Sequence, residues 1–248
     1  TAGVMTYYTC APFWEETRMD AYFTPHRDLE DVFCKHGMPR DRLFPEGIPV
    51  SPECAVPIDT RAEKVAQGLP PDAKHVMIVG GSMGAGDLPD VLQQLAALPK
   101  EVYLTIICGN NESLRAQLAA RFAGQARIRV CGYVSPLYTA MRSADVLVSK
   151  PGGLTTTEAM AQRIPMVLVN PIAGVETLNA AFFAARGLAL YAKHVEEMLP
   201  LTRRLLYDAD AMAKMRICQQ KEIPCDASMR IARFLMQQVA LRGKGREA

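Results

Sequence analysis

From residue 75 onward, short uninterrupted apolar runs alternate with longer stretches of mixed polarity. His75–Val79, Val102–Cys108, Ile128–Val130, Val146–Val148, Met166–Val169 and Leu188–Tyr191 are strand-length runs rich in β-branched residues. None alternates polar with apolar, the mark of strands buried on both faces. The stretches between them, Asp87–Leu98, Ser113–Phe122, Pro136–Ser143, Thr155–Gln162 and Thr177–Ala185, read as helices. Strands and helices in strict alternation predict an α/β domain with a doubly wound parallel sheet.

Ahead of this domain, Val4–Tyr8 and Ala21–Thr24 read as two strands and Arg27–His36 as a helix closed by Gly37, a natural C-cap. Two strands and a helix make only part of a core, so residues 1–48 read as the remnant of a preceding lobe with further residues upstream. Such a remnant is expected to expose apolar surface and to favour self-association. The proline-rich residues 49–57 read as an interlobe linker, and residues 58–225 as the main lobe. The pattern is helical from Leu199 to Gln219 and breaks at Pro224. Residues 226–248 then form a last helix, Ala227–Leu241, and a basic tail.

Composition narrows the class. The 28 Lys and Arg against 26 Asp and Glu leave a net charge of +2, with no basic excess to hold a nucleic acid. The seven cysteines show no Cys-x-x-Cys spacing and pair with no histidine at ligand spacing, so they read as reduced and no metal is expected. No apolar run approaches the roughly 20 residues needed to span a bilayer, and no signal peptide is expected. The chain reads as soluble or peripheral.

Three segments follow strand ends and carry candidate chemistry. The first, Gly80-Gly81-Ser82-Met83-Gly84-Ala85-Gly86, follows the first strand of the main domain. It suits a tight turn, a backbone cradle for a phosphate or sugar, or a Gly-x-Ser-x-Gly nucleophile elbow with Ser82 as nucleophile. The elbow would need Asp145 and His194 as partners.

In the second segment, Ser149-Lys150-Pro151-Gly152-Gly153-Leu154-Thr155-Thr156-Thr157-Glu158, an open turn and a helix start suit a diphosphate. Thr155 and Glu158 also fit a capping box, while the two oxygens of Glu158 could accept from both hydroxyls of a ribose. The third, Asn170–Asn179, brings Glu176 and Asn179 to the same carboxyl rim, where open α/β sheets bind ligands. Asp208-Ala209-Asp210 imitates a metal-binding Asp-x-Asp but sits in a helical stretch with no strand before it, and is set aside.

These three segments together resemble the C-terminal lobe of the MurG-like and monogalactosyldiacylglycerol-synthase-like glycosyltransferases. Thr9–Trp14 and Gly47–Pro52 further resemble the processive diacylglycerol branch. The resemblance implies a GT-B architecture of two facing Rossmann-like lobes, of which this chain carries mainly the second. It implies that Ser82, Met83, Gly84 and Gly152, Gly153, Leu154 and Thr155 meet a diphosphate, Glu158 a ribose, Val134 a uracil, and Glu176 and Asn179 the sugar. Many relatives carry Gln where this chain has Val175, they often carry Asp where it has Tyr7, and some carry His where it has Ala11.

The expected reaction moves a hexose from UDP-glucose or UDP-galactose to diacylglycerol or another membrane lipid, with inversion. The UDP-sugar is a substrate, no cofactor is expected, and the catalytic base is unassigned. The expected location is cytoplasmic, peripheral at the inner face of the membrane. Alternatives are MurG-type N-acetylglucosamine transfer to a lipid-linked peptidoglycan precursor, a serine hydrolase using Ser82, and a truncated, inactive UDP-binding module.

Overall fold

A computed structural model describes residues 1–80 and 93–244, with side chains through residue 241. The turn carrying Ser82, Met83 and Gly84, and the start of the helix predicted at Asp87–Leu98, lie outside the described residues.

Two parallel sheets share the molecule. The smaller has the order β1 (Ala2–Val4), β2 (Ala21–Phe23), β3 (Leu43–Phe44), with helix α1 (Glu30–Lys35) between its last two strands. The predicted strand Val4–Tyr8 is therefore shorter and starts earlier. The chain leaves the sheet after Val4, and Met5 and Tyr8 turn into the core, both almost fully buried.

The larger sheet is formed by β4 (Lys74–Val79), β5 (Val102–Ile107), β6 (Ile128–Cys131), β7 (Val146–Ser149), β8 (Met166–Leu168) and β9 (Leu190–Tyr191). Its order is β6-β5-β4-β7-β8-β9, all parallel. The chain builds outward from β4 in one direction and then returns to lay β7 on the other side. The switch point, where open α/β sheets bind ligands, lies between β4 and β7.

Alternate residues of these strands face two separate cores. Met77, Val79, Ile107, Leu147 and Met166 pack toward the smaller sheet. Val76, Ile78, Leu104, Ile106 and Val148 pack on the opposite face. Burial on both faces explains why the strand sequences do not alternate. The first core is continuous with Tyr22, Phe33 and Leu43 of the front segment, so residues 1–48 and the large sheet share one apolar interior.

Helices α2 (Thr60–Ala66), α3 (Glu112–Arg121), α4 (Leu137–Met141), α5 (Gly153–Ala161) and α6 (Val175–Ala185) connect these strands or precede them. Three more, α7 (Val195–Tyr207), α8 (Ala209–Glu222) and α9 (Ala227–Lys244), follow the sheet. The single helical stretch expected over 199–219 is two helices. Asp208 takes an extended conformation, and its carboxylate caps α8 by accepting from the Ala211 N–H at 2.9 Å. Helix α9 returns to the smaller sheet, where Phe234 packs on Phe23 and Phe44 and Arg230 pairs with Glu46 at 2.7 Å. Within 49–57, Val50 and Cys54 are buried beside Ala161.

Candidate nucleotide-sugar site

At the carboxyl edge of the large sheet, next to the switch point, lies an open cleft of about 320 Å³. Its floor is the ends of β4 and β5, Val79 and Ile107. One wall is the loop after β6, Tyr133 to Tyr138, and the other is Thr155 and Glu158 of α5. The sequence places Val134 in one segment and Thr155 and Glu158 in another, and the fold brings them to one cavity. Tyr133, Pro136 and Tyr138 were not singled out from the sequence. Their signal was the Gly132-Tyr133-Val134-Ser135-Pro136 turn directly after a strand, at the edge where the other segments already pointed.

Helix α5 begins at Gly153, not at Thr155, with Gly152 as an extended N-cap that offers no side chain. Thr155 therefore lies in the first turn and cannot serve as the cap, which removes the capping-box role of Glu158. The Glu158 carboxylate is half-buried and has no hydrogen-bond or ion-pair partner among the described residues. Burial raises its pKa above the ordinary carboxylate value. An acceptor group facing a cleft without a partner is poised for a ligand's donors.

The two glycines of the turn differ. A Cβ on Gly153 would fall 1.6 Å from the Thr6 carbonyl oxygen, so this glycine lets the front segment touch the start of α5. A Cβ on Gly152 would meet only Glu176 Oε1, at 3.8 Å. Glu176 thus stands beside the N-terminus of α5, and its other oxygen accepts from the Ile172 N–H at 2.7 Å. Leu154 is exposed on the same turn.

Asn179 does not reach this rim. It is fully buried, its Oδ1 accepts from the Tyr8 N–H and its Nδ2 donates to the Pro151 carbonyl, both at 2.8 Å. It clamps the turn before α5 to the front segment. Tyr8 completes the clamp. Thr157 donates to the Gly153 carbonyl at 2.6 Å, so the Tyr8 hydroxyl, 3.1 Å from Thr157 Oγ1, is the donor to it. The Tyr8 ring packs edge-on against Phe183.

Among the described residues, the two partners that a hydrolase elbow would need are not brought together. Asp145 precedes β7 at the amino edge of the sheet, opposite the carboxyl edge where β4 ends. It is held by Lys64 Nζ at 2.7 Å and by the His75 N–H at 2.7 Å. His194 follows the edge strand β9 as the N-cap residue of α7. Among the described residues no helix is long and apolar enough to cross a membrane.

A doubly wound parallel sheet with an open cleft at its switch point, a helix N-terminus beside it and a carboxylate without a partner among the described residues defines an α/β lobe open to a ligand at its carboxyl edge. The Glycosyltransferase family 28 C-terminal domain matches residues 75–221, and Monogalactosyldiacylglycerol (MGDG) synthase matches residues 1–50. The chain belongs to glycosyltransferase family 28.

Among curated relatives, the processive diacylglycerol beta-glucosyltransferase of Staphylococcus carnosus is 31% identical over 215 residues, covering 86% of this chain and 55% of its own length. That of Bacillus subtilis is 31% identical over 221 residues, 87% and 57% of the two chains. The chain thus spans little more than half the length of these relatives. MurG of Acinetobacter baumannii superposes with a TM-score of 0.65 at 17% identity, over 95% of this chain and 66% of that one. HepE of Anabaena, solved with UDP and glucose, gives 0.63 at 12%, over 95% and 71%. The UDP-GlcNAc 2-epimerase of Neisseria meningitidis, solved with UDP-GlcNAc, gives 0.66 at 16%, over 88% and 62%. At such identities the likeness shows the GT-B fold alone.

Proposed function

We propose that this chain is the donor-binding part of an enzyme that transfers a hexose from a UDP-sugar to diacylglycerol, with inversion. The observation that carries the reading is the half-buried Glu158 carboxylate, without a partner among the described residues, facing the switch-point cleft beside the N-terminus of α5. In this reading Glu158 accepts from the ribose hydroxyls and the loop at Val134 frames the uracil. The turn of Ser82, Met83 and Gly84, with Gly152, Gly153, Leu154 and Thr155, surrounds the diphosphate. Glu176 meets the sugar, and Asn179 acts by positioning the Pro151 turn.

An acceptor hydroxyl oxygen bonds to the anomeric carbon as the bond to the UDP oxygen breaks. The negative charge gathered on UDP is met by the free N–H groups of α5, which need no metal. The hydroxyl proton passes to a base that the described residues do not identify. The named relatives support diacylglycerol over a lipid-linked peptidoglycan precursor, and a cytoplasmic, peripheral location follows from a soluble donor and a membrane acceptor.

The test supplies vesicles holding both diacylglycerol and a polyprenyl-linked peptidoglycan precursor with UDP-glucose, UDP-galactose or UDP-N-acetylglucosamine and follows glycolipid by mass spectrometry. A hexosyl-diacylglycerol from one of the first two is expected. Transfer only of N-acetylglucosamine to a polyprenyl-linked acceptor would overturn the reading in favour of the MurG-type reaction. A chain that binds UDP and forms no product with any donor is the binding module alone.

A further inference from the structure

Where the linker meets the main lobe, a second open pocket of about 330 Å³ lies apart from the switch-point cleft. Its walls are residues 54–58 of the linker, Thr60 at the start of α2, Arg142 and Ala144 after α4, residues 161–164 at the end of α5, Arg216 of α8, and Cys225. None of these belongs to residues 1–50, and none is shared with the cleft. Helix α5 joins the two cavities, since Thr155 and Glu158 line the cleft and Ala161, its last residue, lines this pocket.

Three of the lining side chains are arginines, and none is an aspartate or glutamate. The chain as a whole carries only +2, so such a grouping is a local excess. Each guanidinium is anchored. Arg163 takes a φ of 60°, the left-handed region that favours glycine, and donates at 2.8 Å to the carbonyls of Met160 and Gln219. Arg216 donates through Nε to the Arg163 carbonyl at 3.2 Å, and Arg142 through Nε to Glu63. Glu63 offsets one charge, while Arg163 and Arg216 have no acidic partner among the described residues. The terminal nitrogens of Arg142 and Arg216 have no hydrogen-bond acceptor among the described residues.

A concave site walled by fixed cations and no acids favours an anion. Guanidiniums supplied by three separate segments favour a ligand with acceptor oxygens pointing several ways, which a phosphate group has and a lone carboxylate lacks. We propose that this pocket is a binding site for a soluble phosphate-bearing anion, distinct from the switch-point cleft and at the other end of α5 from it. The two cavities share no lining residue, so the site stands whether or not the cleft takes UDP.

The test is calorimetric titration of pyrophosphate at constant ionic strength, with and without saturating UDP, into the parent and into Arg216→Gln, whose side chain is exposed. Vesicles of phosphatidic acid are offered separately in a sedimentation assay. Pyrophosphate is expected to bind the parent with UDP present, and about tenfold more weakly to Arg216→Gln, the weight of one charged hydrogen bond. The affinity for UDP should be the same in both proteins. No pyrophosphate binding, binding that UDP abolishes, or equal affinity in parent and variant would overturn the proposal. So would capture by phosphatidic acid vesicles that Arg216→Gln abolishes while pyrophosphate stays unbound, which would assign the pocket to a lipid headgroup. Pyrophosphate binding as expected in a chain that ignores UDP would leave this site standing and remove the donor reading.

Discussion

Gly152 and Gly153 stand side by side at the start of α5, yet their surroundings set different tolerances. Both were legible from the sequence as an open turn at a strand end. What could not be read is that Gly153 touches the carbonyl of Thr6, 147 positions away, because that contact follows from how the front segment docks. Gly153→Ala should destabilise the protein by at least the roughly 1–3 kcal/mol of ordinary overpacking, since the opposing atom is backbone and cannot rotate away. Gly152→Ala, at an extended φ of −71° with open space around it, should cost less than about 1 kcal/mol. Urea midpoints of the two variants check this, and equal losses would contradict the packing role given to Gly153. Asn179 shows the same limit, since the pattern put it one turn from Glu176 and only the docked Tyr8 backbone reveals that its amide faces inward.

Among the elements, the strands of the large sheet were read within a few residues because their apolar runs are continuous and well separated. Helix α2 was missed. Thr60-Arg61-Ala62-Glu63-Lys64-Val65-Ala66 is polar by composition, and its hold on the fold is an ion pair instead of an apolar stripe. Lys64, almost fully buried, donates to both oxygens of Asp145 and to the Ala73 carbonyl at 2.7 Å, while Asp145 also accepts from the His75 N–H. This network ties α2 to the starts of β4 and β7. Lys64→Met would leave Asp145 charged with its cation gone, an expected loss of about 3–5 kcal/mol. The double variant Lys64→Met/Asp145→Asn should recover part of it. Chemical denaturation of the set is the check, and a single variant as stable as the parent would show the pair to be dispensable. The split at Asp208 was hidden for a related reason: an aspartate fits either a helix interior or a cap, and only its bond to Ala211 shows which.

At the scale of the whole molecule, the sequence carried the order of strands and helices and therefore the doubly wound sheet. Motifs after β4 and β7 were legible as a site because a switch point must fall where the chain reverses its direction of growth across the sheet. The shared core between residues 1–48 and the large sheet was not, since the sequence pattern marks residues 49–57 only as a linker and does not say how the two parts pack. Met5 and Tyr8 enter the same interior as Leu147 and Phe183. This docking holds the turn before α5, and the Glu158 carboxylate stands at the cleft without a partner among the described residues. The central claim is that this carboxylate receives a nucleotide ribose. Calorimetric titration of UDP into the chain and into Glu158→Gln tests it most directly. The account predicts binding by the parent and a loss of about 1–3 kcal/mol in the variant, the range for removing a charged hydrogen bond, with the fold unchanged by circular dichroism. UDP binding of equal strength in both proteins, or none by the folded parent, would contradict it.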